Sequence, residues 1–162
     1  MLAVVALPSP RKSLTFCAGF WVDNIYPEYP VDIIGYTYRT PLHLVRALDA
    51  PKYREGRDAK YIVAKPFTVS YRTEQDFGRK LHFITVPEGM LTDLTSSPIH
   101  SVVAPTGPWL EAAVVHDYLY VAWEEMPRYR PTKQDRLFAD DMLMAGCKAA
   151  GVGWFKRQAI YR

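Results

Sequence analysis

The run Val114-Val115-His116-Asp117-Tyr118-Leu119-Tyr120 constrains this chain more than any other stretch. A histidine and a carboxylate stand side by side among residues that favour burial. Burying them costs free energy unless both find hydrogen-bonding or charged partners. Neighbours on a helix are offset by about 100°, so the two side chains face different directions and each needs its own partner. His116 needs a carboxylate or carbonyl on one ring nitrogen if the other is to act as a base. Asp117 needs cations, either a basic side chain or a hard metal such as calcium.

The surrounding pattern predicts where those partners come from. Thr106-Gly107-Pro108 opens a helix with proline at its first position, running to about Trp123. Ala112, His116 and Tyr120 share one stripe of it. A second helix starts at Pro131-Thr132, where Thr132 and Asp135 resemble a capping box with Asp in place of Glu. Leu137, Phe138, Met142, Ala145 and Ala149 give it a core face, and Gly151 is the expected stop. This second helix offers Asp135, Asp140 and Asp141 to His116, with Asp135 nineteen residues on. Trp154–Tyr161 reads as a last short amphipathic helix.

Upstream, Tyr61–Arg72 alternates apolar and polar residues, with a break at Pro66. Thr73–Gly78 is turn chemistry and Lys80–Val86 a second strand, so the pair reads as a β-hairpin with His82 as a surface strand residue. After the turn at Val86–Gly89, Thr92-Asp93-Leu94-Thr95-Ser96-Ser97-Pro98 suits a loop that bonds its own backbone. Asp93 either serves that loop or points toward His116. His100 reads as a loop histidine.

Residues 1–58 differ from the rest, because prolines at 8, 10, 27, 30, 41 and 51 forbid long elements. Thr15–Val22 and Ile33–Tyr38 fit strands, and Leu42–Leu48 one or two helical turns. The segment reads as an arm, lying either across its own domain or on neighbouring subunits, and 59–162 as the domain proper. The fold class expected is α+β: a small antiparallel sheet, an antiparallel helical pair and a short C-terminal helix.

Composition narrows the setting. With 49% hydrophobic residues in 162, a packed core is affordable and wholesale disorder is excluded. A net charge of +3 with scattered Lys and Arg gives no footprint for specific nucleic-acid binding. Cys17 and Cys147 match no metal-ligand spacing or disulfide framework, and Cys147 reads as a small buried hydrophobe. Met1–Leu7 is a poor signal peptide, and no run approaches membrane-spanning length, so a soluble protein is expected.

Residues from about Phe67 to Tyr161 resemble a family of tailed-phage and prophage proteins described as a domain of unknown function. The shared features are V-P-x-G-hydrophobic-x-T-D (Val86 to Asp93), a nearby S-x-P, A-A-V-x-H-D-x-L-Y (Ala112 to Tyr120), D-x-x-F (Asp135 to Phe138) and A-x-G-V (Ala149 to Val152). A more distant resemblance, HDxxY followed by an Asp with Phe three residues on, is to calcium-dependent secreted phospholipases. That resemblance implies that His116 activates water, Asp117 binds calcium, Asp135 orients His116 and Tyr120 bonds to Asp135. The disulfides and the Gly-rich calcium loop of those enzymes have no counterpart here, leaving Thr92 to Ser97 as the stand-in.

The resulting expectation is a tailed-phage accessory protein, a component of tail, baseplate or neck, located in the virion or host cytoplasm. Its arm would bind neighbouring virion proteins or a second copy, and its His–Asp cluster would be a hydrolase centre or the remnant of one. The alternative is a non-packaged hydrolase of lipid esters or cell wall, for which membrane lipid becomes a partner. Read from residue types alone, the same cluster also suits a buried polar tie between two helices, without chemistry.

Overall fold

The computed structural model describes residues 26–27, 30–49, 51–53, 57–94, 107–125 and 132–161. Among the described residues, eight short strands precede three helices, in an α+β arrangement of small antiparallel sheets and packed helices. In the main sheet, β1 (Ile33–Tyr38), β6 (Phe67–Thr73) and β7 (His82–Val86) lie in the order β1-β6-β7. A second sheet orders β2 (Leu44–Arg46), β5 (Tyr61–Val63) and β8 (Leu91–Thr92) as β2-β5-β8, and β3 (Lys52–Tyr53) pairs with β4 (Arg57–Asp58). The helices are α1 (Leu110–Glu125), α2 (Lys133–Ala149) and α3 (Trp154–Tyr161).

β6 is central because its alternation is strong. Phe67, Val69, Tyr71 and Thr73 are buried, and the partners Ile84 and Val86 on β7 share that face. This face packs on Val114, Val115, Tyr118 and Leu119 of α1 and on Phe138, Ala139 and Met142 of α2. Each of the larger side chains buried there contributes on the order of 1.5–3 kcal/mol. The apolar alternation through Pro66 is split at 64–66, so that β5 joins one sheet and β6 the other.

The expected hairpin is β6–β7, with residues 74–81 as its connection. Its turn is tied by Asp76 N to Thr73 Oγ1 and by Thr73 Oγ1 to Asp76 Oδ2. His82 differs from the surface residue expected. It is half-buried, pairs with Asp76 and stacks on Tyr71 with ring centroids 5.0 Å apart.

Leu42–Leu48 also departs from expectation, since Leu44–Arg46 forms β2 against β5 rather than helical turns. Between Pro41 and Pro51 the segment is too short to hold a helix by itself, and strand pairing satisfies its backbone.

Most of the side chains described on α1 are buried: Ala112, Val114, Val115, Asp117, Tyr118, Leu119 and Ala122 are all below a tenth exposed. That is why its polar pair has to be satisfied from inside the protein. α2 opens with a complete capping box, in which Thr132 Oγ1 accepts from Asp135 N and Asp135 Oδ2 accepts from Thr132 N. It closes with a Schellman motif: Val152 N donates to Cys147 O, Gly151 N donates to Lys148 O, and Gly151 has φ +75°. Phe138, Met142 and Cys147 are buried as expected, whereas Ala149 is exposed and Leu137 is 46% exposed, away from the core.

The boundary drawn at residue 58 runs through a continuous set of strand pairings. β1 pairs along β6 from Ile33↔Thr73 to Tyr38↔Val69. Tyr38 Oη donates to Gly146 O on α2 at 2.9 Å, and Tyr26 Oη donates to Leu119 O on α1. Residues 30–49 thus belong to the packed fold, while Thr15–Val22 and Cys17 lie outside the described residues.

Candidate functional site

β8 ends beside α1, and there Thr92 meets the polar pair. Thr92 Oγ1 donates to Asp117 Oδ2 at 2.6 Å, a bond between two buried groups. The same hydroxyl accepts from Leu94 N at 3.2 Å, the local backbone bond that this loop composition suggested. Leu94 adopts φ +55°, a left-handed conformation unusual for a branched side chain. Its burial among Val114 and the other core residues offsets the conformational cost, and the bend sets Thr92 against α1.

His116 lies on another side of α1, facing α2. Its Nε2 is 3.1 Å from Asp140 Oδ1, and its Nδ1 is 3.9 Å from Asp117 Oδ1. The first is a hydrogen bond and the second an ionic separation. The neighbours His116 and Asp117, expected to diverge completely, therefore still feel each other's charge. Tyr120 lies one turn on, its ring 4.7 Å from the imidazole. Burial pushes the His116 pKa down, but the Asp117 and Asp140 carboxylates outweigh it and raise it above the ordinary histidine value.

The phospholipase resemblance implied that Asp135 orients His116, and here the geometry differs. Asp135 is buried in the capping box, accepting from both the backbone N and the hydroxyl of Thr132. Asp140 holds the imidazole instead. The signal for this was present in the helix lengths. Reflected through the connection between Glu125 and Lys133, His116 falls opposite Met142, two residues past Asp140, whereas Asp135 falls opposite Trp123. Asp93 is buried next to Thr92. Ser97 and His100 lie outside the described residues.

Calcium takes six to eight oxygens. At Asp117 one carboxylate oxygen already accepts the Thr92 hydroxyl and the other faces His116. Among the described residues no group of three or more His, Cys, Asp or Glu is placed to hold a metal. Thr95 to Ser97, the rest of the stretch that would stand in for a calcium loop, lie outside the described residues.

The class defined by fold and site is an α+β domain in which α1 carries a buried aspartate held by a threonine, next to a part-buried histidine held by a carboxylate of α2. The chain belongs to the DUF1353 family, described as a protein of unknown function, whose model matches residues 63–162. Neither the curated proteins nor the solved structures give a match. No helix among the described residues is long and apolar enough to cross a membrane.

Proposed function

We propose that this chain is an accessory component of a tailed-phage particle, in which the His116 cluster is the remnant of a hydrolytic centre and acts as an electrostatic clamp. One observation carries the clamp: an imidazole on α1 stands between Asp117 of its own helix and Asp140 of α2, which together favour its protonated form. An imidazolium bridging two carboxylates ties the helices together, and it is a poor base. The phage setting rests on the motifs from Val86 to Asp93 and from Ala112 to Tyr120. Contacts with neighbouring virion proteins, or with a second copy, are assigned to the residues that precede β1.

Asp140 also supports a second reading. With Nε2 held by Asp140, a deprotonated His116 presents Nδ1 as the proton acceptor for a water attacking an ester. In this reading Asp140 is the positioning residue, and lipid or cell-wall material is the substrate.

Substituting His116→Ala separates the two. Under the clamp reading the variant unfolds at clearly lower temperature and the wild type shows no ester hydrolysis. A variant that keeps its unfolding temperature and loses a hydrolytic activity of the wild type sinks the clamp. Mass spectrometry of purified particles tests the setting, since absence of the protein there favours a non-packaged hydrolase.

A further inference from the structure

On the far side of α2 from the core, a cleft of about 350 Å³ opens between the start of β1, α2 and α3. That size lies at the lower end of small-molecule sites. Its walls carry opposite charges in separate places. Asp32, at the entry to β1, and Asp141 on α2 form one end, where burial first, and then the charges of Asp140 and Asp32, raise the pKa of the Asp141 carboxyl. Lys148, two turns further along α2, and Arg157 on α3 supply the other end. Between them Met144 and Trp154 give an apolar wall, and Trp154 is 58% exposed with its ring accessible.

The supports of these groups leave capacity for a ligand. Gln75 Nε2 donates to only one oxygen of Asp32, at 3.2 Å, and Arg157 Nη1 donates to Val152 O at 3.1 Å. A guanidinium has five N–H donors, and this bond uses one of Arg157's. Seven residues separate Asp141 from Lys148, which at helical rise places their Cα atoms about 10 Å apart. Two to three extended residues span a similar length, at about 3.3–3.6 Å each.

We infer that this cleft binds a short, peptide-like zwitterion, its ammonium end at Asp32 and Asp141 and its carboxylate end at Lys148 and Arg157, with small side chains on Met144 and Trp154. The site is separate from the His116 cluster and does not depend on either reading of it.

The probe is trialanine with free termini, titrated into the ¹⁵N-labelled full chain and followed by amide shifts. Residues of α2 and α3 around Met144 and Arg157 shift with saturation. Acetylating the amine or amidating the carboxylate weakens binding about tenfold or more, a loss of about 1.4 kcal/mol or more. Asp141→Asn lessens the penalty for acetylation, with Asp32 remaining, and Lys148→Met lessens the penalty for amidation, with Arg157 remaining. Both side chains are exposed, so both variants keep the wild-type unfolding temperature. Equal affinity for free and doubly blocked peptide overturns the inference. So does the absence of shifts at millimolar trialanine, or saturation that both charge-neutral variants leave unchanged.

Discussion

Thr92 is the residue on which the buried carboxylate most depends. Replacing it by valine keeps the shape and removes the hydrogen bond to Asp117, leaving a carboxylate oxygen buried without that donor. A hydrogen bond to a charged group contributes about 1.5–3 kcal/mol, so Thr92→Val should lower unfolding free energy by that amount in urea titration. His116 makes a prediction about pH. Its folded pKa is raised, so its contribution is fully present below the unfolded value of about 6.5 and is lost as pH rises through the folded value. The gap in unfolding temperature between wild type and His116→Gln should be wider near about pH 5.5 than near about pH 8.5. A gap that is constant, or that widens with pH, contradicts the assignment of Asp117 and Asp140 as its partners.

At the scale of elements, Gly146 decides how closely α2 approaches its neighbours. A Cβ there would stand 2.7 Å from Ala112 Cβ on α1, 3.1 Å from Tyr38 Oη and 3.2 Å from Tyr36 Cζ on β1. Alanine gains about 1 kcal/mol of helix propensity over glycine, but overpacking costs about 1–3 kcal/mol. With a backbone-anchored Cβ on one side and a donated hydrogen bond on the other, strain wins, and Gly146→Ala should lower the denaturation midpoint. The capping box gives a milder case, in which Thr132→Ala should cost about 1 kcal/mol in the same measurement. Much of this level was legible from the chain. The Thr132–Asp135 box, the Gly151 stop, α3, β1 and the β6–β7 hairpin follow from local chemistry, because caps and alternation are satisfied by residues a few positions apart. Asp140 as the partner of His116 was harder to read, because it depends on how two helices register across their connection. Asp135 drew attention through the resemblance while its carboxylate was needed at the cap. The strand at Leu44–Arg46 was hidden because three residues are too few for their apolar spacing to tell a strand from a helical turn.

For the whole molecule, the family match starts at residue 63, while the packed structure reaches back to Tyr26. A chain beginning at residue 63 lacks β1, leaves β6 with an unpaired edge and uncovers the face of α2 that meets Tyr36 and Tyr38. Exposed edges of this kind associate with other chains. Such a truncation should be aggregated or poorly dispersed in an amide spectrum, whereas one beginning at residue 26 keeps β1 and Tyr26. A well-folded 63–162 would show that β1 is dispensable.

The bond from Tyr38 to Gly146 spans 108 residues. On a ribosome adding roughly 5–20 residues per second, the first strand of the sheet is complete several seconds before its helical partner exists. During that interval β1 can pair with β6 but has nothing to cover its inner face. The final docking of sheet and helices waits for α2 to leave the exit tunnel. Chaperone demand should therefore fall in the window between synthesis of β7 and release of α2, and slowing translation within α2 should prolong it.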